Sequence, residues 1–177
     1  LVARNQIEVD SLGNTLKRVS ESPEQQTIQL VEKRTSSVAD SVFTFSDDRL
    51  TALEVFKRNP STQKVNEQLE LSYTDSVVTR KVYTFFDQHS LPIRVVDSMY
   101  DSQTADFVSA QVRRYSYTNK RLTASVETAG NQSQKKTYIY QLDNSDAPNW
   151  VKRIEQPSNQ YITRRIIYYS ENDSIAK

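Results

Sequence analysis

Tyr138-Ile139-Tyr140, a polar stretch, and then Asn149-Trp150-Val151-Lys152-Arg153-Ile154 form the segment on which the reading of this chain turns. An extended backbone sends successive side chains to opposite sides, so Tyr138 and Tyr140 share one side while Thr137, Ile139 and Gln141 share the other. The polar residues between the two runs are turn formers, and the second run reads as a returning strand. The whole segment is one β-hairpin.

Weaker copies recur along the chain. Phe43-Thr44-Phe45 passes through Ser46-Asp47-Asp48 into Arg49-Leu50-Thr51-Ala52, and Tyr115-Ser116-Tyr117 passes through Thr118-Asn119-Lys120 into Arg121-Leu122-Thr123-Ala124. The two copies share Arg-Leu-Thr-Ala. Val82-Tyr83-Thr84-Phe85 leads through Asp87-Gln88-His89-Ser90 into Leu91-Pro92-Ile93-Arg94, and Ile7-Glu8-Val9 leads into Leu16-Lys17-Arg18-Val19. Arg165-Ile166-Ile167-Tyr168-Tyr169 reads as a closing strand. Brief helical turns are expected at most at Ser22 to Gln26, where Pro23 suits a first helical position, and at Thr62 to Gln68.

The expected fold is therefore all-β: one domain over 1–177, an antiparallel meander of successive hairpins with about ten to twelve strands. Strand twist predicts a curled sheet or half-open barrel rather than a flat one. The aromatic pairs are expected to lie side by side on one better covered face. With only 2 glycines in 177 residues, tight primed turns are expected to be few and longer polar turns to dominate.

Composition agrees with broad, half-covered sheets. Hydrophobic residues make up 36%, too few for a large conventional core, while 10 tyrosines and 6 phenylalanines exceed what a disordered chain carries. Basic and acidic residues number 23 and 22, which gives no overall field for nucleic acid or an anionic membrane. The absence of cysteine excludes disulfides, thiolate nucleophiles and cysteine-based zinc sites. No apolar run reaches the length of a transmembrane span. Leu1 in place of Met leads us to expect a removed upstream segment, such as a signal or lipoprotein leader.

The Tyr-x-Tyr, polar turn, Arg-Leu or Asn-Trp pattern resembles tyrosine–aspartate (YD, Rhs-type) repeats. The block Asn149 to Ile154 with Thr163-Arg164-Arg165-Ile166-Ile167-Tyr168-Tyr169 resembles the end of repeat-like exported proteins and lipoproteins of Bacteroidetes, with Pro148 where those carry Gly and Val151 where they carry Thr. Asp is missing after most of the Tyr-x-Tyr pairs, so the repeats are degenerate. The resemblance implies an extended antiparallel sheet in an extracytoplasmic, cell-envelope protein, periplasmic or anchored at the outer membrane, and brings no catalytic residues with it. Asp10-Ser11-Leu12, Asp40-Ser41-Val42, Asp75-Ser76-Val77, Asp97-Ser98-Met99 and Asp173-Ser174-Ile175 resemble the O-glycosylation signal of such proteins. They also suit a turn entering a strand.

Chemistry-bearing residues each have a plain structural alternative. His89 is the only histidine and lies in a polar turn, so it cannot build a multi-histidine metal site. Asp47 with Asp48, Glu67 with Glu70, and Asp143 with Asp146 are the carboxylate pairs that glycoside hydrolysis would need, but turns favour acidic residues for backbone reasons. Asp143-Asn144-Ser145-Asp146 offers oxygen ligands for calcium without the Gly and Glu of a helix-loop-helix site. Arg113-Arg114, Lys135-Lys136 and Arg164-Arg165 could meet phosphate or simply be solvated strand charges.

The best candidate surface comprises Trp150, Tyr138, Tyr140, Arg153 and Tyr168, with Tyr161 and Tyr169 as further rings and Arg164 and Arg165 as further cations. Flat rings with polar neighbours can stack on sugars, or they can simply cover a sheet face. The expectations are a non-enzymatic binding or scaffold module without cofactor or metal, with a carbohydrate-binding protein and a hydrolase using turn carboxylates as alternatives. Expected partners are a glycan or another envelope protein. Nucleic acid is not expected, and a membrane enters only through a removed N-terminal lipid anchor.

Overall fold

The computed structural model describes residues 4–21, 27–34, 39–143, 145 and 149–166. They form one antiparallel sheet of thirteen strands in sequence order: β1 (Arg4–Val9), β2 (Thr15–Glu21), β3 (Thr27–Arg34), β4 (Ala39–Ser46), β5 (Arg49–Arg58), β6 (Val65–Thr74), β7 (Val77–Phe86), β8 (Pro92–Asp101), β9 (Asp106–Thr118), β10 (Arg121–Ala129), β11 (Gln132–Leu142), β12 (Trp150–Gln156) and β13 (Gln160–Thr163). β1 and β13 do not pair, so the curled sheet stays open. The all-β meander expected from the sequence is present, with more strands than the pattern counted. No helix occurs among the described residues. At the second expected helical turn, Gln63 takes a left-handed φ of 58° and β6 starts at Val65. The first, over 22–26, lies outside the described residues.

The closing strand is corrected as well. Among the described residues, pairing ends with β13 at Gln160–Thr163 and Arg165 and Ile166 are not in a strand, while 167–169 lie outside the described residues. β13 was missed because Gln160-Tyr161-Ile162-Thr163 carries no aromatic pair.

No hydrophobic side chain is buried among the described residues, and the one buried residue is Asp97. A single sheet has no opposing layer, so each side chain is covered mainly by its ladder neighbours. Register defines the two faces. On one, the ladder Glu54, Glu70, Val82, Asp97, Gln111 crosses β5 to β9, and on the other, directly behind it, runs Val55, Leu69, Tyr83, Val96, Val112. We call these the Asp97 face and the Tyr83 face. The Asp97 face is the better covered of the two, as one side of a curled sheet must be.

Longer polar turns are the more numerous among the described connections, as expected, but tight primed turns are also present without glycine. Two-residue turns at Asp47–Asp48, Asp75–Ser76 and Asn119–Lys120 have positive φ at both central positions, the primed geometry that follows strand twist. Asp and Asn tolerate this region because their short polar side chains bond locally, so Gly is not required. Longer turns are organised by a leading carboxylate. Asp87 Oδ1 accepts the N–H groups of His89 and Leu91 at 2.8 and 2.9 Å, and Asp10 Oδ1 accepts those of Leu12 and Asn14 at 2.8 Å each.

The shared Arg-Leu-Thr-Ala acquires a physical meaning. Thr51 and Thr123 are each the extra residue of a β-bulge, and so is Thr79. Each threonine hydroxyl donates to the carbonyl seven residues earlier: Thr51 to Thr44 at 3.2 Å, Thr79 to Ser72 at 3.3 Å and Thr123 to Ser116 at 3.1 Å. A bulge bends the strand and raises its twist, which is the local origin of the curl.

The single aromatic ladder is also corrected. Tyr115, Tyr117, Tyr138 and Tyr140 stand on the Asp97 face, whereas Phe43, Phe45, Tyr83 and Phe85 stand on the other. The hairpin of β4 and β5 turns at one end of the sheet and that of β9 and β10 at the other, because β4 is an even-numbered strand and β9 an odd-numbered one. Two copies of one hairpin related in this way are flipped about an axis in the sheet plane, so equivalent side chains emerge on opposite faces.

Candidate functional site

On the Asp97 face, β11 and β12 bring four of the five candidate residues together. Tyr138 and Tyr140 pair with Glu155 and Arg153, and Leu142 pairs with Trp150 across the bulge at Val151. The Tyr140 and Trp150 rings meet edge to face with centroids 6.2 Å apart. The Arg153 guanidinium lies 5.4 Å from the Tyr138 ring centre, and that of Arg164 lies 4.1 Å from Trp150. Arg164 is fixed there because its Nε donates to the Trp150 carbonyl at 2.5 Å. Tyr168 and Tyr169 lie outside the described residues. Tyr161 falls on the opposite face, beneath Lys152, so the six rings do not form one platform.

The hydroxyl groups point into the sheet. Tyr140 donates to the Leu122 carbonyl at 2.8 Å, Tyr117 donates to that of Pro92 at 2.8 Å, and Tyr138 shares a hydrogen bond of 3.1 Å with Ser125. Burial pushes the Tyr117 phenol above its usual range, with smaller contributions from Tyr115, Asp87 and Tyr140. The cluster is thus half-buried and rigid, with two of its rings covered by arginine.

A charged strip on the same face was not found from sequence. Arg80 binds Asp97 with Nε–Oδ1 2.8 Å and Nη2–Oδ2 2.6 Å. This hydrogen bonding holds the Asp97 carboxyl below its usual range against the opposing effect of burial, helped by the charges of Arg80 and Arg113. Glu54 stands opposite Glu70 and accepts from Gln68 at 2.8 Å. Burial pushes its carboxyl up, and the Glu70 charge adds to the rise. Lys136 and Glu155 form an ion pair of 2.8 Å that raises the lysine and lowers the glutamate. Alternation alone marks such residues as polar. Only register makes them neighbours.

The remaining candidates separate. His89 is exposed in its turn, with its N–H on Asp87. Asp47 and Asp48 accept hydrogen bonds from Thr27 and Gln29 on β3, so both help to hold the sheet. Glu67 and Glu70 point to opposite faces. Asp143 Oδ1 accepts the Ser145 hydroxyl at 2.7 Å and the Asn149 N–H at 3.0 Å, while Asn144 and Asp146 lie outside the described residues. Arg113 and Arg114 divide between the faces, as do Lys135 and Lys136. Ser11 and Ser76 sit in exposed turns, Ser41 and Ser98 are half-buried within β4 and β8, and Ser174 lies outside the described residues.

No protein-family model and no curated protein matches the chain. Among solved structures it is similar to a protein of unknown function from Bacteroides fragilis, at 9% identity over 93% of this chain and 89% of that one, with a TM-score of 0.34. A likeness of that size supports no argument about fold or function.

Proposed function

We propose that this chain is a non-catalytic binding or scaffold module of an exported cell-envelope protein. The observation that carries the reading is a sheet of thirteen strands with no buried hydrophobic side chain among the described residues. Such a sheet offers both broad faces to a partner and encloses little. The turn carboxylates Asp10, Asp47, Asp87 and Asp143 accept backbone N–H groups, a structural use that favours the non-catalytic reading. The placement in the envelope rests on the repeat resemblance. Fractionation of the native host tests it: the full-length protein should be recovered with periplasm or outer membrane, and recovery from cytosol overturns the envelope reading.

A carbohydrate surface is the second reading, favoured by Trp150, Tyr140 and Tyr138 sharing one face with Arg153 and Arg164. Arginine already lies over Trp150 and Tyr138, so a sugar must displace it or bind beside it. On a glycan array, binding that disappears in Trp150→Ala supports this reading. Absence of binding by the wild-type chain removes it.

A further inference from the structure

The near-zero net charge of the chain conceals a separation between the two faces. On the Tyr83 face, Val55, Leu69, Tyr83, Val96 and Val112 are direct register partners across β5 to β9. The described residues form no second layer above this ladder, and Val55 and Tyr83 each remain 39% exposed. Lys33, Lys81, Arg94 and Lys152 stand on the same face over Phe43, Phe107, Phe85 and Tyr161, with the charged group 4.9, 3.7, 5.7 and 4.6 Å from the ring centre. Among the described residues none of these four forms an ion pair. Acidic residues are fewer on this face: Glu67 stands there in an ion pair with Lys57, and Glu8 and Glu21 lie toward the β1 edge. Asp47, Asp75 and Asp87 lie in turns, whereas Glu32, Glu54, Glu70, Asp97, Glu127 and Glu155 lie on the opposite face.

The combination selects among anionic partners. An acidic polymer would use the cations but gain little from an aliphatic ladder, and the flat rings Phe43, Phe85, Phe107 and Tyr161, on which a sugar could stack, each already carry a cation. A bilayer containing anionic lipid uses both. Apolar side chains and tyrosine settle at the acyl boundary, and lysine and arginine reach the phosphates on their long stems. We propose that the Tyr83 face adsorbs on a membrane surface bearing anionic lipid, with Val55 and Tyr83 at the acyl boundary and Lys81 and Arg94 at the headgroups. The proposal goes beyond the binding-module reading, concerns the other face, and does not depend on that reading.

Vesicle co-sedimentation tests it, comparing phosphatidylcholine alone with phosphatidylcholine containing phosphatidylglycerol. The chain should sediment with the anionic vesicles only. Lys81→Gln with Arg94→Gln should weaken binding about thirtyfold, two charges at about 1 kcal/mol each. Lys81→Arg with Arg94→Lys should bind as the wild type, and Tyr83→Ser should bind more weakly. Arg18→Gln, which removes an exposed cation from the Asp97 face, should leave binding unchanged. No sedimentation, equal sedimentation with both vesicle types, or an equal loss in Arg18→Gln overturns the proposal. So does binding to soluble alginate that matches vesicle binding and ignores Tyr83→Ser, which would assign an acidic polymer instead. Urea midpoints are measured for every variant. If the double Gln variant fails to fold, Tyr83→Ser and Arg18→Gln decide.

Discussion

The Arg80 guanidinium grips both oxygens of Asp97 across β7 and β8, at 2.8 and 2.6 Å, and Asp97 is the one buried residue among those described. A sheet without a second layer thus places its most protected position at an ion pair rather than at a hydrophobic side chain. The flanking ladders supply the cover, with Glu70 and Arg113 near enough to act on the pair electrostatically.

Asp97→Asn should destabilise the sheet at neutral pH by about 1–2 kcal/mol, since a charge-assisted pair is lost and Arg80, still 39% exposed, can turn to water. The native carboxyl titrates below its unfolded value. Its contribution is therefore complete above about pH 4 and fades as pH falls through the native pKa. Urea midpoints measured from neutral to acid pH should show this acid loss in the wild type and a smaller one in Asp97→Asn.

Glu54 behaves in the opposite sense. Its carboxyl is raised by burial and by Glu70, so the folded state holds the proton more tightly than the unfolded state. The resulting penalty is absent below about pH 4 and complete once pH exceeds the native pKa. Glu54→Gln should gain about 0.2–1 kcal/mol at pH 7, the scale of like charges directly opposed, and nothing at low pH. An equal gain at both pH values would show that charge is not the cause.

Lys120→Gly should raise the thermal midpoint. Lys120 sits at φ 61° in a primed turn, a region costing a side-chain-bearing residue about 1 kcal/mol, which glycine enters freely. Ser76→Gly, at φ 65°, should act likewise. Differential scanning calorimetry checks both, and a lowered midpoint would reject the argument from strain.

Thr51→Val and Thr123→Val should each cost about 1 kcal/mol, because each leaves a bulge carbonyl without its hydroxyl donor. The residues lie on β5 and β10 and share no partner, so the double variant should show the sum. Urea unfolding of the two singles and the double measures this.

The candidate site was legible where chemistry and spacing sufficed. Tyr138, Tyr140, Trp150 and Arg153 were grouped by one hairpin, and the hairpin places them together. Tyr161 was grouped with them by proximity along the chain and stands on the other face. The Arg80–Asp97 pair was invisible because seventeen positions separate its members and nothing local links them.

Period-two alternation and punctuating turns determined by themselves that this chain is an antiparallel meander, since both are local consequences of extended backbone and turn chemistry. Only the tertiary structure decided which face each residue joins. Face depends on strand parity and on every bulge crossed on the way, so Phe43 on β4 and Tyr115 on β9, equivalent as motifs, end on opposite faces of one sheet. The division into a cationic apolar face and a paired-charge face follows from that register and from nothing shorter in range.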